Sequence, residues 1–450
     1  MMNFFRLFIA CCLVMAYVGI AAAEITPEEA KKLGTTLTPV GAEIAGNKDG
    51  SIPAYEGGLT EAPACYQQGS GVRPSPFADE KPLFSINHEN MNQYADKLTE
   101  GTKALMKKYP TYRVDVYKTH RTAAFPQYVL DGTVKQAVTA KNTDEGLSIE
   151  DVHAAYPFPI PKNGYETMWN HMVRFQGLAF EHKPRSMVVD AAGRSAMTYE
   201  SDEWQDFPYW DPEKVSHPLY FRGKDVCIGP PRSVGEQMIV LEALDMNKKG
   251  RRVWQYLPGQ RRVKLAPDIA FNTPNTQING VATYDDYTIY NGSMARYDFK
   301  LIGKKEMYVP YSNYKLVYDS NRDDLLKPNH LNPDIVRWEL HRVWVVEANL
   351  KPGKRHIYSK RVFYLDEDTW TALASDEYDG LGQLYKAGFL YLVQNYDART
   401  PFSTTHGHYD LNAGNYSLDV WPGETGGLQY TKPRSEREWG HDTLSGGGIR

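Results

Sequence analysis

Apolar and polar residues alternate with a period of two over much of the chain after residue 186. The alternation recurs in SMVVDAAGRSAMTYE, RRVWQYLPGQRRVKL, YDFKLIGKKEMYV and RWELHRVWVVEANLKPGKRHIYSKRVFYL, and a glycine or a Pro-Gly pair marks a turn inside each stretch. A period of two indicates β-strands, and strands joined by short turns pair as antiparallel hairpins. The pattern therefore predicts an antiparallel meander rather than a parallel sheet with crossover helices.

Helix-like spacing of apolar residues is confined to the region before residue 186. It predicts a helix over residues 89–108, which Pro110 ends, a shorter helix over residues 165–175, and a short helix over residues 24–33. The segments between the first helix and Pro82 are rich in glycine and proline, which is typical of loops.

These patterns divide the chain into four parts. After a leader over residues 1–23, residues 24–110 form an extension with helices, and residues 111–421 form a β domain. The last part, residues 422–450, is rich in glycine and charge, so we expect a loosely held tail.

Several predicted strands, such as WELHRVWVVEA, are apolar on both faces. A large twisted antiparallel sheet tends to curl, and its second apolar face must contact a helix, another sheet or a ligand. We therefore predict a mainly β (α+β) fold in which residues 187–396 form one curved antiparallel sheet. The helices near residues 89–108 and 165–175 should pack on or near its open side.

The first 23 residues have the pattern of a secretory signal peptide. Arg6 is the only charge before a long apolar run, and Ala21, Ala22 and Ala23 offer small residues for cleavage. An uncleaved membrane anchor is the alternative, although the run is barely long enough to span a bilayer. We therefore expect a periplasmic protein. Whether it associates with the outer membrane is left open.

The formal net charge is −4, and losing Arg6 with the leader makes it one unit more negative. A mildly acidic exported protein lacks the broad positive field that nucleic-acid binding requires, so we expect no nucleic-acid partner. The basic and aromatic stretch RRVWQYLPGQRRVKLAPD is then a hairpin. Its arginines should lie on the convex or rim face, with Trp254 and Tyr256 on the same strand face as Arg252.

Cys65 and Cys227 are the cysteines that remain after removal of the leader. In an oxidising compartment they predict one disulfide, which would attach the proline-rich extension to the sheet. Two free thiols are the alternative, because sequence spacing does not establish proximity.

Catalytic and cofactor motifs are missing from the sequence, including G-x-S-x-G, H-E-x-x-H and P-loop patterns. Weak metal candidates are the oxygen-bearing Asn47, Asp49 and Ser51, and the pair His406 and His408. Their alternatives are a turn stabilised by Asx side chains and surface histidines on a strand. We predict no catalytic residue, no cofactor and no metal site.

Four longer stretches resemble one protein family: LTPVGAEIAGNKDGSIPAYEGGL, YPFPIPKNGYETMWNHMVRFQG, RRVWQYLPGQRRVKLAPD and RVFYLDEDTWTALASDEYDG. The family comprises exported Gram-negative proteins of undefined activity, often labelled outer-membrane lipoprotein-sorting proteins. The resemblance covers residues 37–409. WQYLPGQRRV and YLDEDTWTALASDEYD are also similar to two hairpins of the LolA and LolB lipoprotein carriers.

The resemblance implies a LolA-like fold, a strongly curved and unclosed antiparallel half-barrel with helices over the open side of an apolar cavity. This chain departs from the carriers in length, since the region before residue 163 has no counterpart in them. The implied partners are a lipid or lipoprotein, an inner-membrane exporter and an outer-membrane β-barrel protein. The matching motifs select as cavity-lining candidates Trp254, Tyr256, Leu257, Val343, Val345, Phe363, Leu365, Trp370 and Leu373.

Three functions are compatible with the sequence. The first is a non-enzymatic carrier or chaperone, because a soluble protein moves a lipid between membranes only by enclosing its acyl chain, whose exposed methylenes each cost about 0.8 kcal/mol. The second is a structural partner that links an exporter to an outer-membrane protein. The third is a hydrolase or lyase that acts on an amphiphile. For the candidate cavity residues, the alternative is an ordinary filled core.

Overall fold

The computed structural model describes residues 25–267, residue 269 and residues 272–444. The predicted leader, residues 1–23, lies outside the described residues. Within them, no helix is both long and apolar enough to cross a membrane.

The N-terminal part of the described chain contains short helices and strands. In chain order they are α1 (Pro27–Ala30), β1 (Phe84–Ile86), α2 (Glu100–Lys108), β2 (Val114–Val116), α3 (Gln127–Gln136), β3 (Lys141–Thr143), β4 (Ser148–Glu150) and α4 (Gly164–Met172). α4 begins where Asn163 accepts a hydrogen bond from the Glu166 backbone at 2.9 Å. It confirms the helix predicted over residues 165–175, ending three residues earlier.

A first run of strands follows: β5 (Ala179–His182), β6 (Arg185–Val189), β7 (Ser195–Asp206), β8 (Leu219–Gly229), β9 (Gln237–Ala243), β10 (Arg252–Leu257) and β11 (Arg262–Leu265). From β6 to β11 each strand pairs antiparallel with the next, and β5 also pairs with β7. This run confirms the predicted meander, including the hairpin that turns at Pro258.

A second run returns through the other half of the sheet. Its elements are β12 (Tyr297–Pro310), α5 (Tyr314–Tyr318), α6 (Arg322–Leu325), β13 (Trp338–Leu350), β14 (Lys360–Asp366), β15 (Ala372–Tyr378), β16 (Leu384–Leu390), β17 (Val393–Asn395), β18 (Thr400–Phe402), β19 (His406–Asp410), β20 (Tyr416–Trp421) and β21 (Leu428–Tyr430). β12 to β16 pair in order, β16 pairs with β19, and β19 with β20.

The two runs join in the middle of one 17-stranded sheet because β20 pairs antiparallel with β6. β11 and β12 are left at opposite edges, and no pairing joins them among the described residues. The sheet is therefore an unclosed antiparallel half-barrel, as predicted. Residues 266–296 connect its two edges, and we call residues 272–296 of this connection the crossing segment.

One face of the sheet, which we call the inner face, packs against α4 and the crossing segment. The ring of Tyr290 in this segment lies 5.3 Å from that of Phe363 on β14. His171 of α4 lies 3.0 Å from the Tyr290 carbonyl and accepts a hydrogen bond from the Ala372 backbone at 3.1 Å. The inner face of β14 and β15 is thus filled by polypeptide.

α2 packs on the opposite, outer face. The Gly101 backbone donates to the Asp376 carboxylate at 2.7 Å, and Asp376 alternates with residues of the inner face along β15. Our placement of this helix near the open side was therefore wrong. The helix is also shorter than predicted, because Thr99 caps α2 and a separate 3₁₀ helix occupies Met91–Lys97.

The predicted disulfide is absent, because Cys65 and Cys227 are both free thiols. Cys65 is exposed in a loop whose next residue, Tyr66, donates to Asp397 at 2.8 Å. Cys227 is buried on β8 and lies 3.2 Å from the Gly229 carbonyl. The proline-rich extension thus packs near Asp397 rather than on β8.

The tail that we expected to be loosely held is packed over its described part. β21 pairs with β5, and Trp439 and Leu444 are buried against the outer face of β9 and β10. Two bulky apolar side chains in an otherwise polar and glycine-rich segment are enough to anchor it, because each gains about 1.5–3 kcal/mol on burial.

Candidate functional site

Trp254 and Tyr256 lie on the outer face of β10. They pack in the small hydrophobic cluster that includes Trp439 and Leu444 of the tail. The alternating residue Val253 faces inward. Of the arginines in this hairpin, Arg251 is an exception to the prediction of a convex or rim position, since its buried guanidinium pairs with Glu242.

The remaining cavity candidates do not form one lining either. Leu257 borders the cleft described below. The others are buried in the main hydrophobic cluster: Val343, Val345, Phe363, Leu365, Trp370 and Leu373. Val345 pairs with Tyr364, which bonds to the outer-face residue Asp376, whereas Phe363 packs inward on Tyr290. The structure therefore distributes these side chains over both faces of the sheet.

A cavity of about 80 Å³ lies between the inner face of β7–β10 and the crossing segment. Its apolar wall is formed by Phe221, Met238, Val240, Val253 and Ile269. Its polar side chains include Tyr199, Glu203, Asp225, Asn275, Gln277, Tyr284, Tyr287 and Asp419. The cavity thus combines an apolar wall with a small set of hydrogen-bonding groups, which is typical of small-molecule binding sites.

Strand alternation builds the cavity. Met238 and Val240 are two residues apart on β9, and Gly223 and Asp225 are two residues apart on β8, so each pair faces inward together. None of these residues was predicted from the sequence to line a cavity. The alternation was available in QMIVLEA and LYFRGKDVCIG, but it does not state which of the two strand faces points inward.

Asp225 is one of two buried aspartates that line the cavity, the other being Asp419. Burial raises the pKa of Asp225 to about 7, although the Tyr199 hydroxyl donates a hydrogen bond that opposes this rise. Burial likewise raises the pKa of Asp419, which lies 3.6 Å from His406 and accepts a bond from Ser186. The cavity wall is therefore less charged at neutral pH than its residue types indicate.

A cleft of about 420 Å³ adjoins the cavity. It is bordered by polar residues of the β8–β9 turn and the strand ends, including Arg232, Ser233, Glu236 and Gln255. The cavity and the cleft share the lining residues Tyr199, Asp225, Met238, Gln277 and Tyr284. These shared side chains form the partition between an apolar interior and a polar mouth.

A second polar cluster lies farther along the inner face and centres on Arg361, which is fully buried. Its guanidinium contacts Asp286 at 2.6 Å and Asp285 at 3.3 Å. His356 lies 3.1 Å from Asp285, and Tyr358 donates to Asp286 at 2.8 Å. Burying Arg361 is thus balanced by two carboxylates of the crossing segment.

His406 and His408 are buried on the inner face, so the expectation of surface histidines on a strand was wrong. His408, Asp286 and Glu377 each place one ligand atom within 4.8 Å of the others. Burial lowers the pKa of His408 to about 3 and raises that of Glu377 to about 8. These three residues could hold a metal ion.

His341, Asp366 and Asp368 form another group of this kind on the outer face. Arg121, in the loop between β2 and α3, binds both Asp368 oxygens, at 2.6 and 2.9 Å. Because the guanidinium occupies both oxygens of this carboxylate, the group is an ion-pair network that attaches this loop to the sheet.

The segment with Asn47, Asp49 and Ser51 is a turn. Ser51 and Ile52 donate backbone hydrogen bonds to Asp49 and Asn47 at 3.0 and 2.9 Å. This is the Asx-stabilised alternative to a calcium loop.

Comparisons with known proteins agree with the resemblance noted in the sequence. The model of DUF1329, a protein family of unknown function, matches residues 85–445. The uncharacterized protein PA3922 of Pseudomonas aeruginosa is 41% identical over 434 residues, which cover 95% of each chain.

Solved structures are similar at lower levels. An outer membrane lipoprotein-sorting protein domain from Vibrio parahaemolyticus has 16% identity and a TM-score of 0.44, with 63% of this chain and 98% of that one covered. A DUF1329 protein from Desulfovibrio piger has 15% identity and a TM-score of 0.43, with 62% and 95% covered. The LolA superfamily protein NE2245 from Nitrosomonas europaea has 12% identity and a TM-score of 0.37, with 62% and 99% covered.

Proposed function

Because this chain belongs to the DUF1329 family of proteins of unknown function, we propose a function from its own geometry: it is a periplasmic, non-enzymatic carrier or chaperone for an amphiphile. The ligand would be a lipid or a lipoprotein acyl chain, with its apolar part in the cavity and its polar part in the cleft. The observation that supports this most directly is the apolar cavity with an adjoining polar cleft.

The size of the cavity decides how such a ligand enters. At about 10–15 Å³ per water-sized group, a cavity of about 80 Å³ holds roughly six groups, fewer than the carbons of a long acyl chain. An acyl chain would therefore have to displace the partition formed by Tyr199 and Tyr284 and extend into the cleft. Each buried methylene would contribute about 0.8 kcal/mol to binding.

The unclosed sheet allows this movement. The crossing segment forms one wall of the cavity, and among the described residues it contributes no strand to the sheet. A shift of the part that carries Tyr284 would therefore break no ladder of strand hydrogen bonds. Transfer of a bound lipid needs enclosure and release rather than bond cleavage, so the proposal requires no catalytic residue. The predicted leader supports export to the periplasm.

Binding of a fluorescent fatty acyl probe to delipidated protein tests the proposal, with native mass spectrometry of protein isolated from periplasm as a second measurement. Val240→Trp places an indole in the cavity and should weaken probe binding at least about tenfold, since most of the buried contact area is lost. Ile228→Trp adds the same ring to an exposed outer-face position of β8 and should leave binding unchanged.

Met238→Trp serves as a second cavity variant if Val240→Trp unfolds. Absence of probe binding by the wild type, together with no bound lipid in the mass spectrum, would contradict the proposal. Equal affinities of the wild type and a folded cavity variant would place the binding site elsewhere.

A further inference from the structure

The inner face contains a buried group of Asp286, Glu377 and His408 that the carrier function does not use. Asp286 belongs to the crossing segment, Glu377 to β15 and His408 to β19. All three side chains are buried, and one ligand atom from each lies within 4.8 Å of the others. The group therefore joins residues that are distant in the sequence at one enclosed point.

Unsatisfied atoms point into this group. Among the described residues, both ring nitrogens of His408 and the Oε2 atom of Glu377 lack a hydrogen-bond partner. His408 is 0% exposed, and so is Glu377. Since buried polar atoms are almost always hydrogen-bonded or bound to a metal, several orphaned atoms in one enclosed group indicate a missing partner, which a metal ion would supply.

The surroundings orient the candidate ligands. Ser375 donates to Oε1 of Glu377, which leaves Oε2 for another contact. Tyr358 and the Thr283 backbone donate to Oδ2 of Asp286 at 2.8 and 2.7 Å. Among the described residues, Oδ1 of Asp286 accepts a hydrogen bond from Arg361 alone. Such outer hydrogen bonds are what fix the ligands of a metal centre.

Gly388 lies on β16, between β15 and β19, and its lack of a side chain leaves room for the side chains of Ser375 and His408. Gly388 pairs with both Ser375 and His408, and a Cβ atom at this position would lie 2.5 Å from the Ser375 hydroxyl and 2.9 Å from Nε2 of His408. A larger residue at position 388 would collide with both side chains, so glycine allows His408 and Ser375 to approach each other.

The charge of the surroundings also favours a cation. Four carboxylates and two cations lie in this part of the inner face: Asp285, Asp286, Glu377, Asp410, Arg361 and Lys386. Metal binding requires ionised ligands, so Glu377 would lose its proton on binding. Two negative charges are then in excess, and a divalent ion would neutralise them.

We propose that Asp286, Glu377 and His408 form a binding site for a divalent transition metal, with Zn²⁺ as the ion that fits best. One imidazole and two carboxylates suit zinc, whereas calcium and magnesium prefer oxygen ligands alone. The ion would link the crossing segment to two strands of the sheet. None of its ligands lines the cavity, so zinc binding is tested on other residues than probe binding, and either can fail without the other.

Titration of the metal-stripped, tag-free mature protein with Zn²⁺ against a competing chelator tests the site, and Co²⁺ absorption reports the ligand geometry. We expect one equivalent to bind and the melting temperature to rise with added zinc. Glu377→Gln and His408→Gln should each weaken zinc binding by about 100-fold or more, beyond the 10–100-fold effect of losing an outer hydrogen bond. Asp376→Asn, a buried carboxylate on the opposite face of β15, should bind zinc as the wild type does.

Circular dichroism identifies variants that fail to fold, and either ligand variant suffices if the other unfolds. Because the site is enclosed, the wild type is also refolded in the presence of each ion. The proposal is overturned if the wild type binds no equivalent of Zn²⁺ or Co²⁺ even after refolding, if both folded ligand variants bind as tightly as the wild type, or if Asp376→Asn loses as much affinity as they do.

Discussion

Asp225 offers a quantitative test of how dry the inner cavity is. The residue is 8% exposed, and burial raises the pKa of its carboxyl to about 7 from the ordinary value of 3.8. A difference of about three pH units corresponds to roughly 4 kcal/mol, at about 1.4 kcal/mol per unit. The ionised Asp225 side chain should therefore lower the free energy of unfolding by on the order of 4 kcal/mol at alkaline pH.

The sign follows from which state loses its proton first. Below about pH 4 Asp225 is protonated in both states, and its burial has no ionisation cost. As the pH rises from about 4 towards 7, the unfolded chain ionises first, so stability falls, and above pH 7 the full cost remains. Asp225→Asn removes this cost, so its benefit should grow by about 2–3 kcal/mol between pH 5 and pH 8.

Urea unfolding of the wild type and Asp225→Asn at pH 5, 6, 7 and 8 measures this benefit. An asparagine oxygen can still accept from Tyr199, but its amide needs a new acceptor, which costs about 1 kcal/mol at every pH. The control is Asp202→Asn, a carboxylate on the outer face of β7 that pairs with Lys183 at 2.9 Å. A difference between wild type and Asp225→Asn that is the same at all four pH values would refute the reasoning and indicate a hydrated carboxylate.

Two further predictions concern residues selected from the sequence. Trp370→Ala should lower the free energy of unfolding by about 3–5 kcal/mol, because Trp370 is 0% exposed and donates to the Val40 carbonyl at 2.8 Å. Trp370→Phe, which removes one ring of the indole and leaves the Val40 carbonyl without its donor, should cost about 1–3 kcal/mol, and a small loss for Trp370→Ala in denaturant unfolding would indicate an open cavity instead. In the unreduced mature protein, Cys65 should react with a maleimide in the native state, and Cys227 should react only after denaturation. If neither thiol reacts after denaturation, the two cysteines form a disulfide.

The elements with strong local periodicity were predictable. The strands of the meander and α4 follow from spacings of two and of three to four residues, which depend only on the near neighbours of each residue. The hairpin turning at Pro258 was found in the same way. Local pattern also located α2, but Thr99, its N-cap residue, makes the α-helix begin later than the apolar spacing indicated.

The candidate sites were much less predictable. The motif match selected buried residues such as Phe363 and Trp370, because bulky apolar side chains look alike whether they fill a core or line a cavity. Asp225 and His408 were missed as buried polar groups, since a polar residue in an alternating strand is expected to face solvent. The cysteine pairing failed for a related reason: one thiol is in a loop and the other on a strand, and spacing does not measure their distance.

The sequence by itself determined that this chain forms an antiparallel sheet with few helices, and that each strand has two distinct faces. Only the tertiary structure decided which face points inward. That choice depends on the pairing of β20 with β6 and on the crossing segment, which places Asp286 and Tyr290 against the inner face. These contacts join residues that are far apart in the chain. Whether they form depends on the packing of the whole sheet rather than on any local pattern.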